Sequence, residues 1–136
     1  MRHTLITAAI LLLLTAPAAG AAEQGSIGRF VGLWESVDPD DGSHQVLSIT
    51  DNGDGTVQLL LYDTFFTLCS GGRAIGQGTA VMRGRRSLRS DDFVVKCFET
   101  GESKTTPTSF TRNPDGTLAR VRSAPLSPIT YHRTNN

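Results

Sequence analysis

The stretch GLWESVDPDDGSHQ, residues 32–45, holds the chain's only tryptophan and four of its thirteen acidic side chains. It admits two readings, a metal-binding loop or the first strand of a β-barrel with its first turn. Asp38 and Asp40 have the alternate spacing of calcium ligands, but Gly42 stands where a third ligand belongs. No Glu follows at the distance of the distal bidentate carboxylate that calcium's oxygen shell requires. DNGDGT at 51–56 fails in the same way, because Gly53 interrupts the alternation. No metal or other cofactor is expected. The turn reading explains more: Pro39 fixes φ, Asp side chains bond the turn backbone, and Gly42 takes the left-handed position.

From Phe30 onward the hydrophobic period is two. Runs rich in Val, Ile, Leu, Phe and Thr are separated by turn residues, which predicts an all-β chain. The predicted strands are Phe30–Val37, Gln45–Thr50, Thr56–Tyr62, Phe65–Cys69, Gly76–Met82, Asp92–Phe98, Thr108–Arg112, Thr117–Arg122 and Ile129–Arg133. NGDGT and NPDGT are near copies, as expected if one hairpin solution is used twice. Short strands joined by hairpin-length links make a meander, and closure into an up-and-down barrel removes its edges. The expected fold is a single antiparallel barrel of about eight strands with one disulfide. A β-sandwich is the alternative.

The N-terminus predicts the compartment. Arg2 precedes an apolar run, Leu5–Leu14, followed by Pro17 and small residues at 18–22. This is the layout of a secretory signal peptide, and the run is too short to span a bilayer. Residues 1–22 are read as the signal, 23–29 as a flexible arm and 30–134 as the barrel domain. The expected product is secreted or periplasmic, with no transmembrane segment in the mature chain. Cys69 and Cys97 are the chain's two cysteines, and in an oxidising compartment they are expected to form a disulfide. The near-neutral charge balance gives no global field to attract nucleic acid, and none is expected as a partner.

GLW at the start of the first strand resembles the G-x-W signature of the lipocalin and fatty-acid-binding group of barrels. In that group the tryptophan plugs one barrel end and an arginine of the last strand packs over it. The ending ITYHRTNN places Arg133 on the last predicted strand, so the resemblance implies a structural Trp34–Arg133 pair. WESVDPDDGS with a later cysteine pair also resembles small exported bacterial domains. In size, export and the G-x-W start, the chain is similar to periplasmic metalloprotease inhibitors, whose inserted arm would correspond to Glu23–Arg29.

The candidate sites are few. Arg83, Arg85, Arg86 and Arg89 form a basic run that is either an anion site or a solvated hairpin arm balanced by Asp91 and Asp92. Catalysis is not expected: His44 and Ser43 are adjacent and so point to opposite strand faces, and no G-x-S-x-G elbow is present. Aromatic residues would fill or line the barrel. Phe65 and Phe66, being adjacent, cannot both enter the core, so one of them is expected at a barrel mouth beside the glycines of DTFFTLCSGG. With Tyr62 they are the candidate ligand contacts. The expected function is a non-catalytic, lipocalin-like module for a small apolar or amphipathic ligand. The alternatives are an exported protein-binding barrel, such as a protease inhibitor, and a structural domain with a filled core.

Overall fold

A computed structural model describes residues 26–134. The expected signal peptide and residues 23–25 of the expected arm lie outside the described residues. Eight strands follow in order: β1 (Gly32–Val37), β2 (His44–Asp51), β3 (Thr56–Phe66), β4 (Gly72–Arg83), β5 (Ser87–Cys97), β6 (Ser103–Arg112), β7 (Leu118–Arg120) and β8 (Ile129–Arg133). Each pairs antiparallel with the next, and β8 returns to β1 through Trp34↔Arg133 and Glu35↔His132. The sheet therefore closes as an up-and-down barrel, and the sandwich alternative is set aside.

The core follows from the two-residue period. Trp34 on β1, Leu47 and Ile49 on β2, and Val57, Leu59 and Leu61 on β3 all face inward and are buried. Their sequence neighbours face out. β3 takes in predicted Thr56–Tyr62 and only Phe65–Phe66 of predicted Phe65–Cys69, so there are eight strands rather than nine. The register shifts between Asp63 and Phe66, and this bulge lets β3 continue past a polar pair that broke the apparent pattern. Beyond it, Thr67–Cys69 forms a single 3₁₀ turn. The glycine-rich start of β4 is also strand. Gly76 and Gly78 lie against the buried Phe93 of β5, and a Cβ at Gly76 would overlap the ring itself.

Alternate turns of such a barrel lie at opposite ends. The 51–56, 83–87 and 112–117 turns share one end with the start of β1 and the end of β8, and this end is plugged. Trp34 is fully buried there and donates from Nε1 to the Phe30 carbonyl at 2.8 Å. Arg133 lies 4.6 Å and Arg112 5.8 Å from the centre of its ring. Both guanidinium groups donate to the carbonyl of Arg29, each at 2.8 Å. Within the expected arm, Gly28 and Arg29 are exposed and Ile27 is not. Ile27 is fully buried, because it and Phe30 cover apolar surface at the plugged end.

The near-copied turns are copies in structure. Asp54 Oδ1 accepts from the Thr56 amide and hydroxyl, and Asp115 Oδ1 accepts the same pair from Thr117. Asn52 donates from Nδ2 to the Thr56 hydroxyl, and Asn113 donates likewise to the Thr117 hydroxyl. These bonds favour the ionised carboxylates, holding Asp54 and Asp115 below the usual range. At the opposite end, Cys69 and Cys97 are joined by a disulfide spanning 28 residues, tying the 3₁₀ turn to the end of β5. No described helix is long and apolar enough to cross a membrane.

Candidate functional site

The end opposite the tryptophan plug contains a cavity of about 540 Å³. That is within the range of small-molecule sites, roughly 300–1,000 Å³. Its position follows from the strand pairing. β7 is three residues long and meets β6 only through Phe110–Arg112, so the sheet is incomplete above that point. Thr106–Ser109 of β6 bounds the cavity on one side and Arg120–Ser123 bounds it on the other.

One wall of the cavity is polar and buried. On β2 and β3, Gln45 and Asp63 occupy inward positions where the period calls for apolar residues. A buried polar group needs partners, and here they form a chain. The buried Tyr131 hydroxyl donates to Gln45 Oε1, and Gln45 Nε2 donates to Asp63 Oδ2 at 2.8 Å. Asp63 Oδ1 accepts from the Phe65 amide at 3.0 Å, across the bulge. Burial pushes the Asp63 carboxyl above its ordinary range, and the Phe65 amide and the Arg120 charge offset this only in part. Burial also pushes the Tyr131 hydroxyl up to about 12.

The apolar lining comes from Phe65, Phe66, Leu68, Val121, Leu126 and Ile129. Phe66 is buried, whereas Phe65 is 46% exposed at the rim with its ring over Gly71. Tyr62, expected with them, does not line the cavity. It lies on the outer face of β3 between inward Leu61 and Asp63, and its ring packs against exposed Phe98 at 6.3 Å.

Arg120 is the cavity's distinctive group. It stands opposite Phe110 and Ile129 in register, on the same inward face, and its guanidinium lies 5.5 Å over the Phe66 ring. Among the described residues it makes no ion pair. Its neighbour Arg122 is fully engaged. Arg122 Nη1 donates to Asp38 Oδ2 at 2.6 Å, and Nη2 reaches Asp40 Oδ2 at 2.7 Å and the Ser127 carbonyl at 2.6 Å. Asp40 Oδ2 also accepts from the Ser127 amide at 2.9 Å, which helps hold the Asp40 carboxyl below its usual range.

The acids of the opening stretch therefore have two tasks. Asp38 and Asp41 accept turn amides at 2.9 and 2.8 Å, as expected for the turn. Asp38 and Asp40 also hold the 121–128 loop through Arg122, a role that sequence spacing did not indicate. The two ends of this bridge are 84 residues apart.

The basic run divides. Arg83 and Arg89 pair with Asp91 at 3.8 and 2.6 Å, while Arg85 and Arg86 make no ion pair among the described residues. Asp92 does not balance the run, because it accepts from the Ser90 hydroxyl instead. Arg86 turns toward the plugged end and Arg89 toward the cavity, so the four arginines do not form one site.

No protein-family model matches this chain, and no curated protein matches it. Its class is defined by architecture: a closed, eight-stranded antiparallel barrel, disulfide-linked, compatible with the calycin form, plugged at one end and hollow at the other.

Proposed function

We propose that this chain is an exported, non-catalytic binding module whose hollow end takes a small amphipathic molecule with an acidic head group. The observation that carries this reading is Arg120, a cation with no ion pair among the described residues, set in a cavity where a polar wall meets an apolar lining from Phe65, Phe66, Leu68 and Ile129. A guanidinium in a site of reduced dielectric attracts a carboxylate or phosphate strongly and offers it a planar fork of donors. Phe66 and Ile129 give the apolar part of such a ligand a surface, and Phe65 extends that surface to the rim. Export is supported by the disulfide and by the N-terminal pattern. The non-catalytic reading is supported by the histidines: His44 and His132 are exposed near opposite barrel ends. The cavity favours a ligand carrier over a filled core. The buried Ile27 weighs against an inhibitor that works by extending its arm.

The test compares decanoate with decanol by calorimetry, on the native protein and on Arg120→Gln. Decanoate should bind more tightly than decanol to the native protein, and R120Q should erase the difference. Equal affinities in the native protein would remove the acidic head group from the proposal. Native mass spectrometry of protein from an exporting host would show any ligand carried through purification.

A further inference from the structure

We propose a second binding site, at the plugged end, that takes a phosphate-class oxyanion between Arg29, Arg86 and Arg112. These three residues line a cleft of about 250 Å³ together with Asn113 and Pro114. Among the described residues no carboxylate lines it. The nearest acid in sequence, Asp115, spends Oδ1 on the Thr117 amide and hydroxyl, at 2.9 and 2.7 Å. Among the described residues none of the three arginines is in an ion pair.

Two of the cations are pinned and cannot relieve their repulsion by swinging apart. Arg86 Nε donates to the Arg112 carbonyl at 3.2 Å, and the Arg112 amide donates back to the Arg86 carbonyl at 2.7 Å. Arg112 Nη1 donates to the Arg29 carbonyl at 2.8 Å, while its guanidinium also lies over Trp34. Each pin uses one N–H of the five that a guanidinium carries. The remaining donors of Arg86 and Arg112 are left for a ligand. Asn113 Nδ2 donates one of its two N–H groups to the Thr117 hydroxyl and Pro114 has no N–H, so most of the free donors at this cleft are on guanidinium groups.

Like charges held close raise one another's energy, and a counterion within the cleft cancels that cost. Three cations favour a dianion over a monovalent ion, and forked N–H pairs favour oxyanions over halide. Phosphate meets both conditions, either free or as the monoester headgroup of a lipid. This site is at the opposite barrel end from the amphiphile cavity, so either proposal can fail without the other.

The test uses Trp34, the only tryptophan of the chain, as a reporter beside Arg112. Inorganic phosphate is titrated against chloride at constant ionic strength, with emission and heat both recorded. Parallel titrations use phosphatidylcholine vesicles with and without phosphatidic acid. A saturable response to inorganic phosphate that weakens tenfold or more in Arg86→Gln supports a site for the free anion. A response only to phosphatidic acid vesicles, again lost in R86Q, supports the headgroup. Arg86 is exposed and does not touch Trp34, so this variant leaves the plug in place. No saturable response to either probe, or one that R86Q leaves unchanged, overturns the proposal.

Discussion

Arg133 sits 4.6 Å over the ring of Trp34 and is also its register partner across the β1–β8 seam. One pair of residues, from the first and last strands, thus both closes the sheet and caps the core. The cation–π attraction is worth about 0.5–2 kcal/mol. Arg133→Ala is expected to lower the stability from urea denaturation by that amount and to move Trp34 emission to the red as water reaches the ring. An unchanged midpoint would show that the seam closes without this contact.

The Asp38–Arg122 bridge is more deeply buried, its side chains being 2% and 13% exposed. Removing one partner strands a charge, at about 3–5 kcal/mol for a buried pair. Arg122→Gln and Asp38→Asn should each destabilise toward that range. The double variant should cost less than the sum of the two. Additive effects in a double-mutant cycle would mean that the two side chains are not coupled.

Gly76→Ala should destabilise the barrel by about 1–3 kcal/mol, the usual result of overpacking. Its new Cβ would overlap the Phe93 ring. Combining it with Phe93→Leu should recover part of the loss, and failure to recover any would locate the strain elsewhere.

Asp63 makes a pH prediction. A carboxyl whose folded-state pKa is raised stabilises the fold fully below its unfolded pKa, and that contribution is lost as pH rises through the folded value. From about pH 4 upward, ionisation of Asp63 therefore works against folding. Asp63→Asn keeps the hydrogen-bond chain if the Gln45 amide turns over. Its stability relative to the native protein should rise as pH increases across this window, measured by chemical denaturation. Parallel curves for the two proteins would contradict the raised pKa of Asp63.

The disulfide closes a loop of 28 residues. On the chain-entropy account that corresponds to about 3.5 kcal/mol. Cys69→Ser with Cys97→Ser should lose a stability of that order, read from denaturant midpoints. A loss under a tenth of it would indicate that the denatured chain is already compact at this loop.

The barrel was legible because its elements obey local rules. The two-residue period locates the β1 and β2 cores, Asp-Gly turns locate the hairpins, and β8 coincides with its predicted Ile129–Arg133 range. Trp34 and Arg133 were legible as a pair only through family resemblance. What escaped depended on distant partners. The predicted strand begins at Gly76 and misses Gly72–Ile75, and the use of Gly76 and Gly78 within it is explained only once Phe93 is placed against them. Asp63 reads as the end of a strand until the bulge and Gln45 account for it. Arg120 and Arg122 look alike in sequence, yet Arg122 is bridged by Asp38 and Asp40 while Arg120 makes no ion pair among the described residues. No spacing rule distinguishes them, because the acids lie more than eighty residues away. Tyr62 was misplaced by a simpler error: its strand face follows from Leu61 and Asp63, and aromatic character alone suggested the interior.

The two fastenings of the hollow end have different mechanical characters. On one side Cys69–Cys97 is covalent, so the 3₁₀ turn and the end of β5 act as a fixed jaw. On the other, the 121–128 loop follows a three-residue strand and is held by Arg122, a jaw closed by side-chain bonds alone. Local opening takes the route with the fewest contacts to break, which here is the gap between β6 and that loop. For the ligand proposed above, passage is expected on Arg122's side, and weakening that grip should shorten its residence time without loosening the Trp34 plug.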